Sequence, residues 1–178
     1  MELKERKYTR YKYADYSSEG AYFITICTNE RKRILSHINS VGDDVLDVPR
    51  IELTDYGKIV KAQIEKFNNT YTDICIDQYV IMPDHVHMII IVYDCGGTSR
   101  TSSPTDKAYT RQHECVPQAI STFKRFINKK IGQNIWQRSY YDHVIRCKED
   151  YEGVCKYIYE NPIKWFHGEK EEEYIYKY

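Results

Sequence analysis

Two histidines, His85 and His87, stand two residues apart in an apolar segment that begins after Pro83 and Asp84. Side chains of a β-strand alternate between its faces, so both imidazoles point to one face and Val86 to the other. Their Cβ atoms then lie about 7 Å apart, close enough for both rings to bind one cation when an oxygen donor is added. The spacing predicts a metal site at the wetter, turn-proximal end of the strand. Two partly exposed histidines with no ligand would show the same spacing.

A helix near the C-terminus carries three tyrosines with hydroxyls that could act as nucleophiles, namely Tyr151, Tyr157 and Tyr159. Tyr157 and Asn161 are four residues apart, so they share one helix face about 6 Å apart. Tyr159 lies about 200° round the helix from Tyr157 and faces away. One face can therefore present a nucleophile together with an amide ligand for a metal. A core aromatic residue followed by a C-terminal cap would show the same pattern.

The elements that must position these residues follow the order β-α-β-β-α-β-α. Strands rich in β-branched and aromatic residues are predicted over 21–28, 74–82, 85–93 and 141–146. Helices are predicted from the N-cap Thr54 to 67, over 117–131 and over 150–160, with Pro162 ending or kinking the last one. The segment between the first strand and Thr54 is interpreted as an irregular polar stretch. This order predicts an α+β, ferredoxin-like split βαβ fold, with a four-stranded antiparallel sheet and an additional C-terminal helix that carries the tyrosine.

The chain has 178 residues, of which 42% are apolar, as expected for one folded domain. We interpret residues 1–178 as a single domain with a core at about 20–165, a flexible loop at about 94–116 and an acidic, aromatic tail at 166–178. No apolar run approaches the roughly 20 residues needed to span a membrane, and the N-terminus does not resemble a signal peptide. The expectation is a cytoplasmic protein with reduced cysteines.

The segment PDHVH resembles the HUH motif, histidine–hydrophobic–histidine, of the single-tyrosine transposases. Downstream, the chain contains WQ, then HVIR, then a helix that ends in YIYENPIK, a pattern similar to the REP-associated tyrosine transposase branch. The resemblance runs from about Tyr22 to about Trp165, and the segment 94–116 departs from it in length and composition. The two-part match is specific, whereas the histidine pair alone would not be.

This resemblance implies Tyr157 as the nucleophile, with Mg²⁺ or Mn²⁺ held by His85, His87 and Asn161. The cation would stabilise the transition state while tyrosine attacks a DNA phosphodiester, forming a 5′-phosphotyrosine and freeing a 3′-hydroxyl. The phosphotyrosine keeps the energy of the broken bond, so rejoining needs no nucleotide fuel. The implied partners are single-stranded or hairpin DNA and a second copy of the chain in a homodimer. A non-catalytic DNA-binding regulator and a hydrolytic metal-dependent nuclease are the alternatives.

Basic and acidic residues are segregated although the formal net charge is zero. The segment 119–141 contains basic residues and no acid, which can give a neutral protein a basic face, although ordinary solvated charge looks the same. The 18 tyrosines suit stacking on unpaired bases or packing in the core. The candidates for DNA contacts are Lys124, Arg125, Lys129, Arg138 and, by the resemblance, His143.

Overall fold

The computed structural model describes residues 19–40, 49–93 and 115–168. The strands are β1 (Gly20–Cys27), β2 (Ser36–Ser40), β3 (Pro49–Leu53), β4 (Ile74–Ile81), β5 (His85–Val92) and β6 (Tyr141–Ile145). The helices are α1 (Asp55–Thr70), α2 (Cys115–Ile131) and α3 (Lys148–Phe166), and a 3₁₀ turn spans Asn29–Arg31. The predicted loop and tail lie almost entirely outside the described residues. No helix in the described ranges is long and apolar enough to cross a membrane.

Four of the strands form one antiparallel sheet in the order β4-β5-β1-β6. With α1 and α2 as the two connections, this is the predicted ferredoxin-like arrangement, which the structure confirms. β1 and β5 occupy the centre of the sheet, which accounts for their nearly continuous apolar sequences. Their register places Thr25 opposite His87 and Cys27 opposite His85, so the end of β1 lies beside the histidine pair.

Helices cover both faces of the sheet because side chains on the central strands alternate. On β1, Ile24 and Ile26 point to the face on which α1 and α2 pack. Phe23 points to the opposite face, where it joins Val154 and Ile158 of α3. The histidine pair shares the face of Phe23, so the helix that carries the tyrosines covers the same side of the sheet.

A two-stranded hairpin, β2–β3, stands between β1 and α1, where the sequence was interpreted as an irregular polar stretch. That interpretation was wrong over Ser36–Ser40 and Pro49–Leu53. Each strand has only five residues and little apolar alternation, so local periodicity is weak. Ile38 and Ile51 face each other in the hairpin and pack against the cluster under α3. Contact with a helix far along the chain thus stabilises strands that the local pattern does not reveal.

α3 continues through Pro162 to Phe166, so the prediction that the helix ends near residue 160 was wrong. Proline inside a helix removes one backbone hydrogen bond and costs about 3 kcal/mol. The turn beyond it is held because Trp165 packs against the cluster on the sheet. As a result Tyr157, Asn161 and Trp165, spaced by four residues, lie along one face of a single helix.

The start of α1 matches the prediction that Thr54 is its N-cap. The Thr54 hydroxyl accepts a hydrogen bond from the Gly57 amide at 3.1 Å and donates one to the Ile34 carbonyl at 2.6 Å. A side chain at Gly57 would have no room, because a Cβ atom there would lie 2.0 Å from the Leu35 carbonyl oxygen. The glycine lets α1 pack closely against the segment that leads into β2.

Replacing Gly57 with alanine is therefore expected to lower the free energy of unfolding by about 1–3 kcal/mol, since the backbone at Leu35 must shift. Chemical denaturation measures the change. Lys61→Ala, an exposed substitution on the same helix, is the control and should change stability by less than about 0.5 kcal/mol. A Gly57→Ala protein as stable as the parent would contradict the close approach.

Candidate active site

His85 and His87 form a buried pair at the start of β5, with exposed fractions of 0% and 2%. Their Nε2 atoms face each other at 3.0 Å. The expectation of a wet position near the turn was wrong, because the C-terminal half of α3 covers this end of the strand. The Trp165 ring lies 6.1 Å from the His85 ring, and the Tyr157 ring lies 5.2 Å from the His87 ring.

The other ring nitrogen of each histidine has a polar partner. His85 Nδ1 lies 2.5 Å from Asp84 Oδ1, and His87 Nδ1 lies 2.8 Å from the hydroxyl of Thr25. The carboxylate accepts the proton of His85 Nδ1, which leaves the lone pair of its Nε2 available for a ligand. If Thr25 accepts in the same way, the two Nε2 atoms both carry lone pairs at a separation of 3.0 Å, and these lone pairs repel unless a positive charge lies between them. Asp84, which immediately precedes the histidine pair in the chain, thus orients His85.

This geometry fits a divalent cation. Imidazole nitrogen binds such ions at about 2.0–2.1 Å, and two ligands at right angles in an octahedral site are then about 3.0 Å apart. The separation of the two Nε2 atoms matches that value. Within the described ranges, there is no group of three or more histidine, cysteine or acidic side chains that could hold a metal ion. Among the described residues, the sequence offers the amide of Asn161 as the candidate for a third ligand.

Tyr157 packs directly on the histidine pair of its own chain. Its ring meets His87 edge to face at 5.2 Å and Phe23 at 5.8 Å, while Phe23 itself stacks on His87 at 5.3 Å. Asn161, one turn further along α3, is 3% exposed. It lies on the helix between Tyr157, which contacts His87, and Trp165, which contacts His85. The structure therefore brings Tyr157 to the histidine pair and places Asn161, buried, on the same face of α3, while the roles of these residues stay predictions.

The two other tyrosines of α3 are placed differently. The hydroxyl of Tyr151 donates a hydrogen bond to the carboxylate of Asp77, and this bond, with some burial, raises the pKa of Tyr151. A phenol held in its protonated form is a poor nucleophile. Tyr159 is 76% exposed on the opposite side of the helix. Of the three candidates, Tyr157 is the one that contacts the histidines.

Two relatives from Haemophilus influenzae cover most of the chain. One, described as an uncharacterized protein, is 30% identical over 174 residues, which are 92% of this chain and 91% of that protein. The other, described as "Putative REP-associated tyrosine transposase", is 27% identical over 162 residues, 86% of this chain and 75% of that protein. The chain belongs to the single-tyrosine transposase family.

A solved structure of a REP-associated tyrosine transposase bound to a REP hairpin shares the fold of this transposase. The two superpose with a TM-score of 0.56 at 23% identity, over 90% of this chain and 74% of that one. No family model matches the chain. The sequence relative described as a transposase and the shared fold both agree with the resemblance of the PDHVH segment to the HUH motif.

Among the predicted DNA contacts of this transposase, Lys124 is occupied within the protein. Its ammonium group donates to the carbonyl oxygens of Gln137 and Ser139 at 2.9 and 2.7 Å, which ties α2 to the segment before β6. Arg125 and Lys129 are exposed on α2, on the sheet face opposite α3. The structure therefore places these three bases away from the histidine pair, and their contact with DNA stays a prediction.

The remaining two candidates lie nearer to β6. Arg138 is exposed in the segment that leads into the strand. His143 lies on the same sheet face as Phe23, and its Nε2 atom is 2.8 Å from the buried Asp150 carboxylate in the first turn of α3. His143 therefore joins the sheet to the start of the tyrosine helix, and a role in DNA contact stays a prediction for both residues.

Sequence reasoning missed several residues that surround the site. Thr25 and Phe23 contact His87 from β1, and their only signal was strand alternation. Trp165 follows Asn161 by one turn, but the expected break at Pro162 hid this spacing. Arg31 belongs to the basic run at 31–33, which gave no specific sign of a role, although its guanidinium lies 3.4 Å from His85 Nδ1.

Replacing Asp84 with asparagine is expected to weaken Mn²⁺ binding by about 10–100-fold, because a neutral amide no longer fixes the tautomer and orientation of His85. Titration calorimetry on the folded protein measures the affinity. Asp55→Asn removes an exposed carboxylate whose partner is Lys58, and it should leave binding unchanged. Equal affinities for the parent and Asp84→Asn proteins would show that the carboxylate does not support a metal ligand.

Proposed function

We propose that this transposase cleaves and rejoins single-stranded DNA in a metal-dependent reaction that passes through a 5′-phosphotyrosine intermediate on Tyr157. The observation that carries the proposal is the contact between the Tyr157 ring and the His87 ring, 5.2 Å apart within one chain. A nucleophile and a cation-binding pair that touch each other are what attack on a phosphodiester requires.

His85, His87 and Asn161 would hold Mg²⁺ or Mn²⁺. When bound, the cation supplies positive charge that offsets the charge of the phosphate during attack. The protein's own contribution is orientation. Asp84 and Thr25 fix the two imidazoles, and the burial of the pair under α3 keeps water from competing for the nitrogen atoms.

In the first step the Tyr157 oxygen forms a bond to phosphorus, and the bond from phosphorus to the 3′ oxygen breaks. The 3′ oxygen leaves as a hydroxyl after taking up a proton, while the phenol proton is lost. Because tyrosine normally has a pKa of about 10, nearby positive charge is needed to favour the phenolate. The Lys164 ammonium group lies 5.9 Å from the centre of the Tyr157 ring and would supply such positive charge. Attack of a 3′-hydroxyl on the phosphotyrosine then restores a phosphodiester and the free phenol.

The proposed substrate is single-stranded DNA with a hairpin. Its support is the structurally similar transposase, which is bound to a REP hairpin. The contact of Tyr157 with a histidine of the same chain supports attack in cis. The predicted homodimer is then not required to bring the tyrosine to the metal, and sedimentation equilibrium would measure the oligomeric state. Cytoplasmic location remains part of the proposal.

The test is incubation of the full chain with an end-labelled hairpin carrying single-stranded flanks, in Mn²⁺ or Mg²⁺. A denaturant-resistant protein–DNA adduct is expected, and mass spectrometry of the linked peptide should place the DNA on Tyr157. Cleavage without an adduct would indicate a hydrolytic nuclease. Binding without cleavage in either metal would indicate a DNA-binding regulator that has lost turnover.

A further inference from the structure

The segment between β1 and β2 brings two arginines to the edge of the candidate active site. Arg31 Nη1 lies 3.6 Å from Asp84 Oδ1 and 3.4 Å from His85 Nδ1, and its side chain remains 43% exposed. The Arg33 guanidinium carbon lies 5.1 Å from the centre of the Trp165 ring, which itself lies beside His85. Arg31 thus reaches His85 itself and Arg33 reaches the tryptophan beside it, and both side chains keep surface open to solvent.

Backbone hydrogen bonds hold this segment to the turn before His85. The amides of Thr28 and Leu35 donate to the carbonyls of Asp84 and Pro83, each at 2.9 Å. The hydroxyl of Thr28 lies 2.9 Å from the same Asp84 carbonyl and 2.8 Å from that of Lys32. The arginines are therefore presented from a loop that is anchored at both ends, so that its backbone keeps a fixed position relative to the site.

The backbone between these anchors is strained. Glu30 and Arg31 both have left-handed conformations, with φ values of 56° and 52°, which non-glycine residues adopt at a cost. Two such residues in succession reverse the chain so that Arg31 reaches Asp84. Strain of this kind persists only where the surroundings hold it, and it is common at ligand-binding sites.

We infer that Arg31 and Arg33 bind the phosphates next to the scissile phosphate and so hold the single strand on the α3 side of the sheet. The inference rests on the proposed function, because it assumes a DNA strand at the histidine pair. Guanidinium groups suit the task, since they present several donors in one plane and form charge-assisted hydrogen bonds to phosphate oxygens. Three acids of the described residues in this region have basic partners: Glu30 pairs with Lys32 at 3.1 Å, Asp84 is buried against His85, and Glu160 pairs with Lys164 at 3.4 Å.

The basic segment that the sequence singled out lies elsewhere. Arg125 and Lys129 belong to α2, which packs on the opposite face of the sheet. A strand with its scissile phosphate at His87 would have to wrap round the sheet edge to reach them. DNA bound on the α3 side of the sheet would therefore neutralise Arg31 and Arg33. DNA bound on the α2 side would neutralise Arg125 and Lys129 instead.

The test measures binding of a fluorescent hairpin with single-stranded flanks to the metal-free Tyr157→Phe protein over a series of NaCl concentrations. Each contact with a phosphate of single-stranded DNA contributes about 0.7 to the slope of log affinity against log salt. We expect Arg31→Gln and Arg33→Gln each to lower the slope by about this amount and to weaken binding about tenfold. Thermal melting of each variant verifies that it is folded, and Arg31→Met, which also removes the charge, serves in place of Arg31→Gln if the latter is not.

Arg125→Gln and Lys129→Gln are the matched controls, because each removes one exposed charge from α2. They should leave the slope unchanged. An unchanged slope for either Arg33→Gln or the folded Arg31 variant overturns the inference, as does a loss of slope confined to the α2 variants. Because binding is measured without metal and without the phenol oxygen, failure of strand transfer does not alter these slopes. The two proposals can therefore fail separately.

Discussion

Replacing Tyr157 with phenylalanine is expected to lower the rate of protein–DNA adduct formation by at least about 10³-fold, because the substitution removes the oxygen atom that we propose attacks phosphorus. The ring remains, so its packing against His87 and Phe23 is kept and the protein should stay folded. The difference between the two proteins therefore reports the contribution of the Tyr157 phenolic oxygen alone. The measurement is adduct yield over time on denaturing gels with an end-labelled hairpin.

The two other tyrosines of α3 are the controls for that experiment. Tyr151→Phe breaks the hydrogen bond to Asp77, and Tyr159→Phe removes a hydroxyl on the opposite side of the helix. Both variants should form the adduct at nearly the parental rate. Full adduct formation by Tyr157→Phe would refute the assignment, and a loss confined to Tyr151→Phe would move the nucleophile to the start of α3.

Replacing His87 with glutamine is expected to lower metal-dependent adduct formation by about 10²–10³-fold. Stabilisation of phosphate charge by a bound cation contributes several kcal/mol, and each 1.36 kcal/mol corresponds to a factor of ten in rate. Glutamine keeps a polar side chain beside Thr25 but does not reproduce the Nε2 atom that faces His85 at 3.0 Å. Binding of Mn²⁺, followed by titration calorimetry without DNA, should weaken in parallel.

His37→Gln is the matched control, because His37 is an exposed histidine on β2, outside the candidate active site. It should change neither metal affinity nor adduct yield. If His87→Gln retained the metal dependence and rate of the parent, the buried pair would have no role in holding the cation. Metal affinity that falls without any loss of rate would instead separate the metal site from the reaction.

Most of the fold could be predicted because its signals are local. The β-branched run of β1 predicted a strand within one residue of the observed Gly20–Cys27, and Thr54 marked the start of α1. The order of these elements then restricts the sheet to a few topologies, since helix-connected strands in such a chain pair in a limited number of ways. Thus the four-stranded antiparallel sheet followed from residues that are close together in the chain.

The features that sequence reasoning missed depend on distant contacts. β2 and β3 have weak periodicity and are supported by the cluster under α3. The last turns of α3 continue past Pro162 because Trp165 packs on the sheet. The tight approach of α1 to Leu35 depends on Gly57, whose requirement appears only when both segments are in place. Local propensity does not reveal these packing interactions, because each one forms between segments that are far apart in the chain.

The sequence by itself determined which groups could share a face: two imidazoles on one side of a strand, and a phenol and an amide on one side of a helix. These relations follow from the periods of the strand and the helix, which depend only on backbone geometry. Only the tertiary structure decided that the strand and the helix meet. It also set the 3.0 Å separation of the two Nε2 atoms, the burial of both rings and the partner of each Nδ1 atom. Those properties arise from packing between β1, β5 and α3, which no local pattern encodes.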